Sequence, residues 1–476
     1  MAIACGTGFT LVVSEVGEVW GFGRNHLGQL GTGLARDEPT PALVGGSAVF
    51  GEPVAMVAAH GQRAACVTES GAVFAWGVSE FGQVGTHAPE PLLRPVRMNF
   101  AALAGGYPAA MLSCGGGHML VLTRRGDVWA CGDGSWGKLG LSEVVRGKYN
   151  PTLMRCVVVS ESAIHGRAIV TMVAAGGDHS VALDSDGAVY TWGRATAGQL
   201  GDWAYSDVNF RTCTPLPTLV CRRASLARAV PFCGAKPVMI SAGLSHTAAV
   251  TDAGRVFVWG AGLQGQLGLG ARENVYLPTA VGAVGGFPAS AVVSVACGEH
   301  HSLFLCAKGV LWACGYHGPF SYGKFLRAEE SCVNSAVPVR VDAGAFGGAG
   351  IVSAAGGPCQ CVAVDTHGGL YSWGTAVYAD TGHPGALGRA FVDNVFIDRP
   401  LRLVLPGDAR AGGYHILLVL ALAMGTHARL GDDCVYQSFP SDALREIVVV
   451  HRRCRRVLPA HVSEGVARLL GDVPTH

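Results

Sequence analysis

Apolar and polar positions alternate in short stretches along almost the whole chain, and glycine turns separate these stretches. A clear example runs from Ser180 to Leu183, followed by the turn Ser185-Asp186-Gly187 and the phrase VYTWGRATAGQLG from Val189 to Gly201. Alternation with a period of two predicts half-buried strands, and a glycine turn between two strands predicts a hairpin. The repeating unit is therefore predicted to be antiparallel β-structure.

The second phrase of this unit recurs seven times and sets the number of units. Its copies share a glycine, at intervals of 54 to 67 residues: Gly23, Gly77, Gly132, Gly193, Gly260, Gly315 and Gly374. Most units also carry a proline followed by an apolar residue, as at Pro41-Ala42, which predicts a fourth strand at the outer edge. Self-similarity at this period predicts an all-β, seven-bladed propeller of four-stranded antiparallel blades.

The two ends of the chain are less regular. The first phrase of the unit occurs eight times, first at Cys5 to Val13 and last at Gly412 to Leu420, so one terminal strand is surplus or displaced outward. We expect the propeller to occupy residues 1–424 and an arginine-rich tail, partly α-helical, to occupy residues 425–476. The helix is predicted over 441–457, between a cap at Ser441 and Pro459. Its arginine cluster fits a nuclear localisation signal, a site for an acidic partner or a solvated helix face.

Composition limits the cellular compartments and the classes of partner that fit this chain. The net charge of +1, with 14% charged residues, gives no field that would attract nucleic acid or a membrane surface. The 16 cysteines often replace valine, alanine or tryptophan of sister repeats, which indicates reduced, buried thiols. We expect a monomer located in the cytoplasm, the nucleus or both and not secreted, with a protein partner, no direct contact to nucleic acid, no membrane contact, no cofactor and no metal.

One repeat position is mostly histidine, and the residue before it varies. The recurring position holds Phe9, Arg63, His118, His179, His246, His301, Gln360 and His415. Five of these eight residues are histidine, which predicts a structural hydrogen bond between neighbouring blades. The preceding position holds Gly8, Gln62, Gly117, Asp178, Ser245, His300, Cys359 and Tyr414. Repeat geometry places these varied residues on one face near the central channel, where a partner would dock.

The paired phrases, a GxxHS-type strand and a WGxxxxGQLG turn, resemble the regulator of chromosome condensation repeat over residues 1–424. The resemblance implies a ring closed by pairing of strands from the two ends of the chain. The family's founding member is a nucleotide exchange factor for the small GTPase Ran. It carries an aspartate at the varied position and a histidine two repeats later, and Asp178 and His300 match that order. The resemblance therefore implies that Asp178 accepts a cationic group of a Ran-like GTPase and that His300 donates.

Further candidates for partner binding come from a long segment after the fourth copy of the turn phrase. Asp202 to Lys236 lengthens this repeat and contains aromatic and arginine residues of the kind that interfaces favour: Trp203, Tyr205, Phe210, Arg222 and Arg223. Gln62 and Tyr414 join them from the varied position. The alternative is that this segment covers a blade edge.

Two functions follow from these observations. We favour a protein-interaction propeller that acts as a scaffold or targeting module, because repeat folds of this kind host many unrelated roles. The alternative is a guanine nucleotide exchange factor for a Ran-like small GTPase. A propeller hydrolase is disfavoured, because the sequence offers no nucleophile with a paired base and no carboxylate pair assignable to one site.

Overall fold

The structure of the chain is a computed structural model. It describes residues 2–45, 49–85, 90–100, 105–141, 149–155, 169–202, 213–220, 231–288, 290–316, 335–358, 360–375 and 396–403. Seven four-stranded antiparallel sheets follow one another along this part of the chain, so the predicted fold class is confirmed. The expected tail, residues 425–476 with its helix, lies outside the described residues.

Each blade consists of four consecutive strands. Blade 1 contains β1 (Ala2–Gly6), β2 (Phe9–Val13), β3 (Val19–Gly23) and β4 (Glu38–Leu43). Blade 2 contains β5 (Val54–His60), β6 (Arg63–Thr68), β7 (Val73–Gly77) and β8 (Leu92–Arg97). Blade 3 contains β9 (Ala109–Cys114), β10 (His118–Thr123), β11 (Val128–Asp133) and β12 (Tyr149–Arg155). Blade 4 contains β13 (Val170–Ala175), β14 (His179–Asp184), β15 (Val189–Arg194) and β16 (Cys213–Leu219).

The remaining blades have the same order. Blade 5 contains β17 (Pro237–Ala242), β18 (His246–Thr251), β19 (Val256–Gly260) and β20 (Val275–Ala280). Blade 6 contains β21 (Val292–Cys297), β22 (His301–Cys306), β23 (Leu311–Gly315) and β24 (Ser335–Arg340). Blade 7 contains β25 (Ile351–Gly356), β26 (Gln360–Asp365), β27 (Leu370–Thr375) and β28 (Phe396–Leu403). Short 3-10 turns lie at Ser135–Gly137, Pro231–Gly234 and Ala343–Phe346.

Burial follows the order of the strands within a blade. The first strands contact those of the neighbouring blades and surround the central channel. The second strands, such as β14, are buried along their whole length, whereas the fourth strands, such as β20, are half-buried to exposed. The prolines lie in these fourth strands, as predicted, because an outer edge does not need every backbone N–H.

The hydrophobic core lies between the blades. Between blades 3 and 4, for example, Leu120 and Leu139 pack with Trp192 in one buried cluster. Apolar burial of this kind is the main favourable contribution to folding. Each blade is therefore stabilised mostly by its neighbours.

In the described part of the chain, side chains join blades 1 and 7. Blade 1 takes all its strands from residues 2–43 and blade 7 from 351–403, so none of the described sheets combines strands from the two ends, and the closure that the resemblance implies stays a prediction. Val12 and Phe22 pack against Val362, and the side-chain amide Nε2 of Gln360 donates to the carbonyl oxygens of Gly6 at 2.9 Å and Phe9 at 2.8 Å. The eighth strand phrase, Gly412 to Leu420, lies outside the described residues.

The recurring glycine of the turn phrase has one conformation in all blades. Gly193 pairs with His179 at the end of β15 and has φ +107°. A Cβ atom there would lie 2.5 Å from the carbonyl oxygen of Asp178, so only glycine fits. Gly23, Gly77 and Gly260 are equivalent, with φ of +108°, +89° and +104°, which confirms the equivalence predicted from spacing.

Candidate partner-binding face

One face of the ring, here called the site face, carries two kinds of connection. The turns between first and second strands and the connections between third and fourth strands both leave the sheets on this side. The two are hydrogen-bonded: the backbone N–H of Arg194 donates to the carbonyl oxygen of Asp178 at 2.8 Å, and that of Tyr316 donates to His300 at 2.7 Å. Residues directly after the recurring glycine therefore neighbour the varied position.

The recurring histidines join neighbouring blades, as predicted. Three of them bond to hydroxyl groups of the next blade: His118 Nε2 to Ser180 Oγ at 2.8 Å, His179 Nε2 to Thr247 Oγ1 at 2.9 Å and His246 Nε2 to Ser302 Oγ at 3.0 Å. His301 Nε2 lies 3.5 Å from Cys361 Sγ of the next blade. Each hydroxyl in turn donates to a main-chain carbonyl oxygen, as Thr247 Oγ1 does to Gln199 at 2.9 Å. The hydroxyl hydrogen is thereby used, so Nε2 carries the proton and donates.

Burial keeps these imidazoles neutral. It lowers the pKa of His179 to about 4 and that of His246 to about 3. In blades 2 and 7, where arginine and glutamine replace the histidine, these side chains donate to the next blade instead. In blade 2, the Arg63 guanidinium donates to the carbonyl oxygens of Gly115 at 2.8 Å and Gly116 at 2.6 Å.

Asp178 lies on the site face, where its repeat position predicts it. Its carboxylate accepts from Lys138 Nζ at 2.8 Å and from Arg194 Nη1 at 3.2 Å, and 32% of its side chain is exposed. Lys138 is only 2% exposed and also pairs with Asp133 at 2.6 Å. The resemblance implies that Asp178 is an open acceptor for a cationic group of a partner. In the structure its carboxylate is already bonded to two cations of its own chain.

Asp133 is held in its charged form within this cluster. Burial alone raises its pKa, but hydrogen bonds from Lys138 and Ser135 outweigh this effect and hold the pKa of Asp133 below its usual value. The cluster of Asp133, Lys138, Asp178 and Arg194 thus joins blades 3 and 4 by alternating charges. Lys138 and Arg194 were missed from the sequence, although Lys138 departs visibly from the glutamine of the GQLG phrase.

Lys138 changes the turn in which it lies. In blade 2, Gln83 Oε1 accepts the backbone N–H of Phe81 at 2.7 Å. A lysine ammonium has no acceptor, and in blade 3 Asp133 Oδ1 instead accepts the N–H of Ser135 at 2.8 Å. Trp136 there has φ +61°, and its ring lies under the Arg194 guanidinium, 4.9 Å from the guanidinium carbon to the ring centroid.

We expect Lys138→Met to lower the free energy of unfolding by about 2 kcal/mol, because it leaves two carboxylates without their shared cation. This is less than the ~3–5 kcal/mol of a fully buried pair, since both carboxylates keep some solvent contact. Lys138→Gln is the matched control, because it restores the residue of the sister repeats and should lose about half as much. Urea denaturation measures both. Equal stability of Lys138→Met and the unchanged protein would contradict a stabilising role for the cluster.

His300 lies two blades from Asp178 on the same face, with blade 5 between them. It is half-buried, and burial lowers its pKa, so the imidazole is neutral near pH 7. The preceding Glu299 lines the mouth of the central channel, a cavity of about 160 Å³, and burial raises its pKa. Gln62 occupies the same repeat position in blade 2 and is also half-buried. The functional roles of these residues stay predictions.

The remaining predicted anchors lie outside the described residues: Trp203, Tyr205, Phe210, Arg222, Arg223 and Tyr414. Their expected grouping in one long loop is nevertheless wrong, because β16 divides the segment. In chain order, residues 203–212 come between β15 and β16, whereas residues 221–230 come after β16. Arg222 and Arg223 therefore belong to a different connection from Trp203.

Within the described ranges, no three His, Cys, Asp or Glu side chains are grouped in a way that would hold a metal ion. No helix in that same part of the chain is long and apolar enough to span a membrane. The ten cysteines found there are free.

The repeats also match a known sequence family. The family model "Regulator of chromosome condensation (RCC1) repeat" matches residues 16–67, 70–122, 125–183, 186–250 and 253–305, which together exceed half of the chain. The chain belongs to the RCC1 repeat family. A second model of the RCC1 repeat matches residues 2–29, 170–199 and 239–266. The resemblance inferred from the paired phrases is confirmed.

Relatives of this RCC1-repeat chain differ widely in their names. The chain is 31% identical to the Arabidopsis thaliana ultraviolet-B receptor UVR8 over 59% of its length and 58% of that protein. It is 31% identical to the human E3 ubiquitin-protein ligase HERC2 over 64% of its length, but this covers only 6% of HERC2. The chain thus spans less than two thirds of these curated relatives.

Solved structures show the same fold. Prp20p from Saccharomyces cerevisiae has a TM-score of 0.65 at 23% identity, covering 83% of this chain and 88% of Prp20p. Human WBSCR16 has a TM-score of 0.61 at 23% identity, covering 76% of this chain and 85% of WBSCR16. At this identity the likeness concerns the propeller fold alone.

Proposed function

We propose that this RCC1-repeat propeller binds a protein partner through its site face and acts as a scaffold or targeting module. The observation that carries the proposal is a contrast between two adjacent repeat positions. The position of His179 bonds to the next blade in blades 2 to 7, and in blade 1 it holds Phe9, which packs with Ala64 of blade 2. The preceding position of Asp178, in contrast, changes from blade to blade. A recurring bonding position inside the ring combined with varied residues on its surface suits binding of a partner. It suits a catalytic site formed by the repeated residues less well.

The family relatives support a binding role without fixing the partner. They include a photoreceptor and a ubiquitin ligase, and the Prp20p structure is described with its binding properties to Gsp1p and histones. One propeller thus accompanies several different activities. We further infer a location in the cytoplasm or nucleus, because the described cysteines are free, as reducing compartments keep them.

Site-specific photo-crosslinking in cells tests the binding role. A photoreactive amino acid at Gln62 or His300 samples the site face, and the same amino acid at Asp186 or Ala253 samples the hairpins of the opposite face. We expect a discrete protein adduct from the site-face positions alone. Adducts that form only from Asp186 and Ala253, or equally from both faces, would contradict the proposal.

The second candidate is exchange activity on a Ran-like small GTPase. It is favoured by one observation: Asp178 and His300 occupy the matching repeat position in blades 4 and 6. The bonds of Asp178 to Lys138 and Arg194 count against it, because a partner's cation would have to compete with two cations already in place.

Release of a fluorescent GDP analogue from a Ran-like GTPase decides this alternative. If the chain is an exchange factor, Asp178→Asn and His300→Ala should each slow stimulated release by about tenfold or more, the effect of losing an interface hot spot. Ser245→Ala is the matched control at the same repeat position in blade 5. The preferred scaffold role predicts no stimulated release by the unmodified protein, and such release would replace the scaffold with the exchange factor.

A further inference from the structure

We propose that Trp136 and Arg194 form a binding hot spot for a partner segment that presents an aspartate or glutamate beside an apolar side chain. This inference rests on the proposed protein-binding function of the site face. It adds the place on that face and the chemistry of the group that binds there. Trp136 comes from blade 3 and Arg194 from blade 4, so the spot lies across a joint between two blades.

The backbone holds Trp136 in a costly conformation. Among the residues that the structure describes, only Trp136, Phe232 and Cys233 have positive φ without being glycine. The residues equivalent to Trp136 in other repeats, among them Leu27, Phe81 and Ala197, do not share it. A bulky residue rarely adopts this conformation, and such strained residues cluster at functional sites. Here the conformation leaves a large aromatic side chain 37% exposed.

Arg194 is held over this ring with bonding capacity left. Its Nε donates to Thr196 Oγ1 at 3.0 Å and its Nη1 donates to Asp178 Oδ2 at 3.2 Å. A guanidinium has five N–H donors, so these two bonds leave several donors for an incoming group. Stacking on Trp136 and the fixed contact to Asp178 order the arginine before binding, which lowers the entropy cost of association.

The carboxylates of the cluster, in contrast, are already paired with cations of their own chain. Asp178 accepts from Lys138 and Arg194, and Asp133 accepts from Lys138 and from the backbone and hydroxyl of Ser135. A partner therefore gains most by bringing a carboxylate to Arg194, where bidentate pairing is favourable. The exposed ring of Trp136 favours an apolar side chain next to that carboxylate. Phe81, at the equivalent position of blade 2, is also an exposed aromatic side chain.

Lys138 is the positioning residue of this hot spot. It replaces the glutamine that supports the sister turns, and its buried ammonium fixes both Asp133, which shapes the turn of Trp136, and Asp178, which holds Arg194. Asp133, Trp136 and Lys138 of blade 3 thus act on one surface.

A display library of short random peptides, selected on the full chain, tests the proposal. We expect the selected peptides to share an acidic residue next to an apolar one. Trp136→Gly and Arg194→Gln should each weaken their binding by about tenfold or more, measured by fluorescence anisotropy. Trp136→Gly should leave the melting temperature unchanged or higher, because glycine adopts φ +61° without strain. Replacing the acidic residue of the peptide by lysine should abolish binding.

The opposite face supplies a matched control pair. Arg125 there lies over the ring of Tyr107, 5.1 Å from the guanidinium carbon to the centroid, and Tyr107 is similarly exposed. Tyr107→Ala should not change peptide binding. If His300→Ala weakens the binding of the selected peptides while Trp136→Gly and Arg194→Gln leave it unchanged, the hot spot is overturned but the binding role of the site face is not. Peptides that only Tyr107→Ala weakens would overturn both proposals, and a selection that yields no peptide would overturn the hot spot.

Discussion

Mild acid is expected to destabilise the ring strongly, by about 2 kcal/mol for each buried histidine at pH 5. Burial lowers the pKa of His179 to about 4 and of His246 to about 3, and it holds that of His118 well below its usual value. The unfolded chain binds a proton near pH 6.5, while the folded ring cannot. The free energy of unfolding therefore has its full value above pH 6.5. It falls as the pH drops from there toward the pKa values of these histidines in the folded ring.

Urea denaturation at several pH values between 7 and 5 measures this loss. His246→Gln is the matched variant, because glutamine occupies the same repeat position in blade 7, where Gln360 donates between blades without titrating. This variant should remove about one third of the slope contributed by these three histidines, although it also costs some stability at pH 7. A free energy of unfolding that stays constant between pH 7 and pH 5 would contradict neutral, buried histidines.

Trp192→Ala is expected to lower the free energy of unfolding by about 3–5 kcal/mol, the usual cost of truncating a buried tryptophan. The ring of Trp192 is buried between blades 3 and 4, where it packs with Leu139 and Tyr190. Its Nε1 donates to the carbonyl oxygen of Lys138 at 2.8 Å. The truncation leaves a cavity between the blades and removes one of the bonds across that joint.

Two control variants are measured in the same denaturation experiment. Trp192→Phe keeps most of the ring and loses the indole N–H, so about 1 kcal/mol is expected for the lost hydrogen bond, with a smaller addition for lost volume. Trp136→Ala removes an exposed tryptophan and should change stability by less than about 0.5 kcal/mol. Similar losses for Trp192→Ala and Trp136→Ala would argue that the joint between blades 3 and 4 is not packed as described.

Repetition explains what the sequence could predict. Patterns that recur from unit to unit predict the number of blades, the hairpins, the outer prolines and the conformation of Gly193. One degenerate copy of the repeat therefore does not change the prediction. The bonds of His118, His179 and His246 were predictable for the same reason: one chemical type at one position implies one structural role.

Features that depend on a single blade were not predictable in the same way. Asp178 is paired with Lys138 from the preceding blade, forty residues earlier in the chain, and nothing near Asp178 in the sequence indicates that contact. The strand β16 has two prolines and no clear alternation, so its segment was interpreted as a loop. The side-chain contacts between blades 1 and 7 depend on residues far apart in the chain, such as Gln360 and Phe9, which are 351 positions apart, and no local pattern indicates them.

The side-chain joint between blades 1 and 7 has a bearing on how such a ring grows during evolution. Because each described blade is one uninterrupted stretch of chain, duplication of a single stretch adds a whole blade and severs no sheet. The new joints need only an apolar face and, at the histidine position, either a donor or an apolar side chain such as Phe9. That low requirement agrees with the tolerance for Arg63 and Gln360 where other blades have histidine, and it leaves each surface turn free to diverge after duplication.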